Sequence, residues 1–548
     1  MQKTKGTVDL IVIVKSDQSF AKTTNDKPLS DNSYISINEY LGVGYIKSYL
    51  MDRDIPVNIH VLTNDQRELL DQVADSAPFI VGFTLYADTA TEVLSSIRYL
   101  SQRSPNTYIV VGGPQTYEIA ESLLRDNLEI SSVIFGEGEE TFYELYNRLS
   151  TSQTLKDCAG TAYRQDNGTV ILNPFRTPIA NLDSLSFPAR DIYEKNHQEF
   201  LYITGARGCL GRCSFCGEST DKKHMKSCDQ VRLRSAKNIV DEMEFLYHKY
   251  KNNSFRFTDP TFEDPGEQGV QKASEVFREI KKRNLSVSMH VFSRVENVIK
   301  LNDQYFQQGY DAGLDCIYVG IESGNAEDLK LYNKPTTVQN NQKALQIIRR
   351  NHIHASFGFI NFNPYSTYER LIQNAEFLYH SGLGHVFYLY QTRLEVLPTV
   401  PIKTKLIREN LMAPGANYKT DFYDYKFADP QMGVFFRAVK AAYPKTPIYY
   451  MDTLCGIYRS WFKRRNQDDQ ELNSIFKELE TMQNTLRDIN HELFSNMLEM
   501  HRKGCDYNEF LAYIQGHPID NYHEDYEKLY KKINIRVKKS VFKEIMSK

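Results

Sequence analysis

The sequence predicts an α/β chain in three parts: an N-terminal doubly wound parallel-sheet domain, an incomplete (β/α)6 barrel and a helical C-terminal region. Two separate series of short apolar strands alternating with helical periodicity point to the first two parts. The third rests on a long, strongly charged stretch, Asp468–Arg502, that holds neither glycine nor proline.

The first series runs Thr7–Val14, Val57–Leu62, Phe79–Tyr86, Tyr108–Gly113 and Ser132–Gly136, with helical patterns such as Thr89–Gln102 between them. Near-continuous apolar strands of this kind are buried on both faces of a parallel sheet. Such sheets bind ligands beyond the carboxyl ends of their strands. Two glycine turns fall there, Gly112-Gly113-Pro114 and Gly136-Glu137-Gly138-Glu139. Neither is the G-x-G-x-x-G dinucleotide fingerprint, which needs three glycines opening a helix after the first strand. Cys158–Asn173 reads as a hairpin turning at Asp166-Asn167-Gly168, and Pro174–Pro188 as a linker. The second series is Phe200–Thr204, Ser254–Asp259, Val287–Ser293, Cys316–Glu322, Ala355–Asn361 and His385–Gln391, separated by helices such as Ser235–Tyr250 and Val338–Asn351. Six βα units fit an incomplete parallel barrel with its chemistry on the loops after each strand. The expected domains are residues 1–150, a hairpin and linker over 151–198, a barrel over 199–405 and a mainly helical region over 406–548.

A composition of 41% hydrophobic and 25% charged residues is that of an ordinary globular protein. A formal charge of -3 gives no electrostatic case for nucleic acid as a partner, and the basic stretch Lys531–Lys548 reads as a solvated helix face. No run approaches the roughly 18–20 apolar residues that span a bilayer. The N-terminal apolar run reads as a first strand, not a signal peptide. Eight cysteines in 548 residues do not make a disulfide scaffold, and a reducing cytoplasm is the expected location.

Three of those cysteines lie in one loop, Gly208-Cys209-Leu210-Gly211-Arg212-Cys213-Ser214-Phe215-Cys216, directly after a predicted strand. Three thiolates spaced C-x3-C-x2-C can wrap a 4Fe-4S cubane and leave its fourth iron open for a small molecule to chelate. On spacing alone a structural zinc site with His224 or Cys228 as fourth ligand is the alternative. The position after the first barrel strand favours an active site.

The motif, with Phe215 in the aromatic place, resembles that of radical S-adenosylmethionine enzymes. Three further segments support the likeness: Phe257-Thr258-Asp259-Pro260-Thr261-Phe262, Ser293-Arg294, and Gly320-Ile321-Glu322-Ser323-Gly324 followed by Lys334. The resemblance implies cluster ligation and catalysis by Cys209, Cys213 and Cys216. It also implies contacts to S-adenosylmethionine from Phe215, Asp259, Ser293, Arg294, Glu322 and Ser323. An arginine and a glutamate suit that cofactor's carboxylate, amine and ribose hydroxyls, although a structural Arg294–Glu322 ion pair is an alternative. The fifth-strand segment departs from the family pattern: Asn361 and Tyr365 stand where glycines are usual, which implies a bulkier substrate pocket.

The parallel-sheet domain ahead of the barrel resembles the cobalamin-binding domain of cobalamin-dependent members of that family. The likeness assigns Thr84, Tyr86, Asp88, Gly112, Gly113, Gln115, Gly136 and Glu137 to cobalamin. D-x-H-x-x-G is absent, so a histidine below the corrin is not expected, and Tyr86 or a neighbour is placed there instead. A sheet that has kept its fold and lost its cofactor is the alternative. The resemblance implies a cytoplasmic enzyme that cleaves S-adenosylmethionine to a 5′-deoxyadenosyl radical, with a small-molecule substrate and an electron donor such as flavodoxin or ferredoxin. Cobalamin-dependent methylation of an unactivated carbon is the leading reaction, and radical rearrangement, oxidation or cyclisation is the alternative. A zinc-stapled, non-catalytic binding protein is the alternative of a different class. Asn361, Tyr388, Tyr390 and Gln391 are the substrate candidates.

Overall fold

In the computed structural model the described residues are 6–14, 39–63, 67–114, 116–196, 199–218, 231–413, 424–442, 448–465, 469–515, 517 and 519–547. They form two compact units. The first comprises Met1–Glu199, Phe215–Arg232 and Glu395–Asp424, and the second Phe200–Ser214, Leu233–Leu394 and Tyr425–Lys548.

The first unit is built on strands β1 (Val8–Val14), β2 (Val57–Thr63), β3 (Ile80–Thr84), β4 (Tyr108–Gly112) and β5 (Ser132–Ile134), all parallel. An antiparallel hairpin, β6 (Thr161–Arg164) and β7 (Val170–Leu172), extends the sheet in the order 2-1-3-4-5-6-7. Alternate residues supply two cores. Ile11, Phe83 and Val111 pack on one face, and Leu10, Val12 and Val110 on the other. The order reverses between β1 and β3, and open sheets place their ligand crevice at such a reversal, beyond the carboxyl ends of the strands.

The second unit holds five parallel strands: β8 (Leu201–Ile203), β9 (Ser254–Phe257), β10 (Ser288–Arg294), β11 (Leu314–Glu322) and β12 (His354–Phe359), in the order 12-11-10-9-8. The Ala236–Tyr250 helix packs against β8 and the Val338–Arg350 helix against β12. Register aligns Tyr202, Arg256, His290, Cys316 and His354 in one row across the sheet.

The expected sixth strand does not form. Val386–Gln391 turns helically instead: Leu389 and Tyr390 donate to the carbonyls of Val386 and Phe387, each at 3.0 Å. Side chains capture the carbonyls a ladder would use. Asn361 Nδ2 donates to Tyr390 O at 2.7 Å, and Asn490 Nδ2 donates to Gly384 O and His385 O at 3.0 Å. Only Phe362 keeps a parallel bridge, to Arg393.

The C-terminal region is helical as expected, with Gln470–Arg502 as one long helix. The Ile448–Arg464 helix packs on β11 and β12. Gly456 permits the approach, since a Cβ there would fall 2.0 Å from His354 Nδ1. One helix turn earlier, the buried Asp452 carboxylate meets His385 Nε2 at 2.8 Å and accepts from Tyr526 OH and Gln483 Nε2, both at 2.7 Å. Among the described residues no helix is long and apolar enough to cross a membrane.

Candidate active site

The cysteine loop leaves β8 and is pinned at both ends. Leu210 N–H donates to Asp264 Oδ2 at 3.0 Å. Around Cys213, Arg212 O accepts from Asn333 Nδ2 at 2.6 Å, Ser214 Oγ donates to Leu331 O at 2.8 Å, and Ser214 N–H donates to Tyr332 O at 2.9 Å. The loop is therefore fastened to the turn that carries Lys334. Cys209, Cys213 and Cys216 are half-buried, whereas Cys158, Cys316 and Cys455 are buried. A Cβ placed on Gly211 would lie 3.3 Å from Cys209 Sγ and 3.7 Å from Cys213 Sγ, so the two thiols flank one point. Gly211 N–H donates to Cys209 Sγ at 3.2 Å. Phe215 is half-buried and, like Cys216, belongs to the first unit. His224 and Cys228 lie outside the described residues.

Charged groups converge on the same strand ends. Burial works against the charge of Arg294, yet Asp264, Glu296 and Cys209 hold its pKa above the ordinary value. Its guanidinium meets Asp264 Oδ1 at 2.8 Å and Glu296 Oε1 at 3.1 Å. The alternative Arg294–Glu322 pair does not form, because Glu322 pairs with Lys334 at 3.6 Å. Burial pushes the Glu322 carboxyl up, with Lys334 opposing. Burial likewise opposes the Lys334 charge, but Glu322, Cys213 and Glu296 together keep its pKa raised.

Backbone geometry explains how Glu322 reaches this position. It adopts φ 64°, a left-handed conformation costing on the order of 1–3 kcal/mol for a residue with a Cβ. Its carbonyl accepts from Ile360 N–H at 2.7 Å, which helps to hold the turn. Two glycines make room for the carboxylate. A Cβ on Gly320 would sit 2.7 Å from Glu322 Oε1, and one on Gly358 would sit 3.1 Å from Glu322 Oε2.

The remaining barrel candidates are engaged elsewhere. Asp259 is fully buried, accepting from Gly205 N–H at 2.5 Å and pairing with Lys272 at 3.1 Å. Ser293 donates to Glu263 at 2.7 Å. Ser323 bonds Asn374 at 2.8 Å and accepts from the N–H of Asn325, the residue whose side chain caps the Ala326–Leu331 helix. Tyr390 is buried, Tyr388 is exposed, and the buried side-chain oxygens of Asn361 and Gln391 have no hydrogen-bond partner. Asp264, which ties the cysteine loop to Arg294, was not singled out in the sequence. Only its place two residues after Phe262 in the second-strand segment hinted at it.

On the sheet of the first unit, Thr84, Tyr86, Gly112, Gly113, Gly136 and Glu137 all sit at carboxyl ends of strands or in the turns that follow. Asp88 is exposed in the short helical turn Ala87–Thr89, and Gln115 lies outside the described residues. Gly113 is required where it stands, since a Cβ would meet Leu85 O at 2.2 Å. Burial raises the Tyr86 phenol to about 12, and its ring meets Tyr40 edge-on at 5.1 Å. Glu137 clamps the chain, holding Arg232 at 2.8 Å and accepting from Ile179 N–H at 2.7 Å.

The radical SAM superfamily matches residues 203–378, and the B12-binding domain family matches residues 36–146. The chain is a radical SAM enzyme with a B12-binding domain. The enzyme is 26% identical over 344 residues to an uncharacterized methyltransferase of Pyrococcus horikoshii, covering 62% of this chain and 72% of that one. It is 27% identical over 335 residues to the anaerobic magnesium-protoporphyrin IX monomethyl ester cyclase of Rubrivivax gelatinosus, covering 58% of each. Its fold is similar to that of the cobalamin-dependent S-adenosylmethionine radical enzyme OxsB, with TM-score 0.69, 18% identity, and 99% and 83% of the two chains covered.

Membership brings a 4Fe-4S cluster and S-adenosylmethionine as cofactors, and the B12-binding domain brings cobalamin. The residues fit them. Two half-buried thiols flank Gly211, with its amide hydrogen-bonded to sulfur, and a carboxylate and two cations lie at the same strand ends. Among the described residues of the first unit, the one histidine, His60, is paired with Asp9 at 3.4 Å on the N-terminal half of the sheet. The glycine- and tyrosine-lined edge therefore suits a corrin held without an imidazole from those residues.

Proposed function

We propose that the enzyme methylates an unactivated carbon of a small molecule. Support comes from the pairing of a cysteine loop built against Arg294, Glu322 and Lys334 with a B12-binding domain, and from the relative named as a methyltransferase. The bound cluster supplies the electron that splits the sulfonium of S-adenosylmethionine, and cobalamin is the methyl carrier. Per turnover, two S-adenosylmethionines and two electrons give methionine, 5′-deoxyadenosine, S-adenosylhomocysteine and the methylated product. The substrate hydrogen ends on 5′-deoxyadenosine, and flavodoxin or ferredoxin is the proposed source of the electrons.

The chain's own residues bind and orient. Cys209, Cys213 and Cys216 are the proposed cluster ligands. Glu322 and Lys334 form a charge pair that receives the amine and hydroxyls of S-adenosylmethionine, and Arg294, steered by Asp264, faces its carboxylate. Thr84, Tyr86, Gly112, Gly113 and Gly136 form the corrin's seat. Asp259, Ser293 and Ser323 support this constellation from behind. Asn361 and Gln391, each with an unsatisfied buried oxygen, are the substrate candidates with hydrogen-bonding capacity to spare.

Radical rearrangement, oxidation or cyclisation without methyl transfer is the second reading, favoured by the relative named as a cyclase. One experiment separates the two. The protein is reconstituted without oxygen with iron, sulfide and hydroxocobalamin, desalted, and given dithionite and S-adenosylmethionine. 5′-Deoxyadenosine together with up to one equivalent of S-adenosylhomocysteine supports methyl transfer. 5′-Deoxyadenosine alone, with cobalamin retained, supports the second reading. An iron-free protein with neither product overturns both.

A further inference from the structure

The inner row of the second unit contains a cation that the reading above does not use. Arg256, on β9, is half-buried, and no carboxylate lies within ion-pair distance of it among the described residues. Its guanidinium lies over the rings of Phe292 at 5.3 Å and Tyr202 at 5.9 Å. Contacts to ring faces soften a cation's loss of water but do not replace the oxygen acceptors its five N–H groups require. Every other arginine and lysine at the strand ends already described has its carboxylate: Arg294 has Asp264, Lys334 has Glu322, and Lys272 has Asp259.

A second orphan sits beside it. His290, the register partner of Arg256 on β10, is 3% exposed, and neither of its ring nitrogens has a hydrogen-bond partner. Burial, Arg256 and His354 push its pKa well below the usual imidazole value, so the ring is neutral and keeps one N–H to donate. Its ring is stacked with Phe292 at 5.8 Å and meets Phe200 edge-on at 6.0 Å. A structural imidazole buried this deeply normally finds at least one partner. A half-buried guanidinium without a carboxylate, beside a buried imidazole whose nitrogens have no partner, describes a receptor for oxygens from outside the protein.

We propose that Arg256 and His290 bind an oxyanion of the substrate, a phosphate or a carboxylate, inside the barrel and below the mouth marked by Glu322. The assignment rests on the radical reading, because it names the substrate class of that same site. Arg256 presents a planar fork that matches such a group with two parallel hydrogen bonds, and Tyr318, one row nearer the mouth, borders the same space.

The test uses the reconstituted holoenzyme with S-adenosylmethionine present, titrated with inorganic phosphate and separately with acetate, by calorimetry and by thermal shift. The wild type is expected to bind at least one of the two, with Arg256→Gln weakening it at least ten-fold and His290→Phe weakening it measurably. Preference for phosphate or for acetate identifies the type of anion. Both variants are expected to retain the cluster absorbance and uncoupled 5′-deoxyadenosine formation, which separates this inference from the radical reading. If the wild type cleaves S-adenosylmethionine but binds neither anion, the proposal is overturned. It is equally overturned if Arg256→Gln binds as tightly as the wild type, or if S-adenosylmethionine displaces the anion.

Discussion

The Asp452→Ala substitution should be among the most damaging in the C-terminal region. The Asp452 carboxylate is buried and meets three groups from three different segments, His385, Gln483 and Tyr526, at 2.7–2.8 Å. Burial alone would raise its pKa, but His385, His354 and Tyr526 reverse this and hold it well below the ordinary value of 3.8. Removing one member of a buried ion pair costs about 3–5 kcal/mol. Three stranded donors at ~1–3 kcal/mol each lead to a loss of the same order. At about 2 °C per kcal/mol for a large domain, the melting transition of this unit should fall by ~6–10 °C. The pH sign follows from the depressed pKa. The stabilisation is fully present above about pH 4 and is lost as pH falls through the folded value. Differential scanning calorimetry at about pH 7, 4 and 2 reads both effects, the gap between wild type and variant being kept at pH 4 and narrowing at about pH 2. A variant melting within 1–2 °C of the wild type at pH 7 would refute the argument that this carboxylate joins the helices to the barrel.

Four further outcomes are expected. Cys209→Ala/Cys213→Ala/Cys216→Ala should abolish the iron–sulfur absorbance and 5′-deoxyadenosine formation while leaving hydroxocobalamin bound after desalting. Glu322→Gln should lower S-adenosylmethionine cleavage by ~10–150-fold, the worth of one charged hydrogen bond at about 1.5–3 kcal/mol. Gly320→Ala should do similar damage by forcing the same carboxylate aside, with Gly42→Ala, which meets nothing within 4 Å, as the control. Asp264→Asn should loosen the Leu210 amide and Arg294 together, seen as iron lost on desalting at a rate above that of the wild type.

Five strands of each parallel sheet were legible to within a few residues, because a β-branched apolar run buried on both faces has few alternatives. His385–Gln391 misled because its apolar run is short: the five residues Val386 to Tyr390 fit a strand or a buried helical turn equally well. What decided it were the Asn361 and Asn490 side chains, distant in sequence, that took the carbonyls a ladder needed. The cysteine loop and the Glu322 segment were readable because their spacing is itself chemical. Asp264 and Arg256 were not. An aspartate before proline looks like a turn residue, and an arginine between two phenylalanines in Ser254–Phe257 looks like an edge-strand charge until its neighbours in register are known.

The Ile448–Arg464 helix, lying against β11 and β12, has a consequence for how such an enzyme diversifies. A strand is answerable to its neighbours, and a change of length or register is transmitted to every residue facing them. A helix satisfies its own backbone, so the side chains it offers, Tyr449 and Thr453 toward Ser356 among them, can be exchanged one at a time. The strands can then keep their register while the side chains that the helix lays against them change.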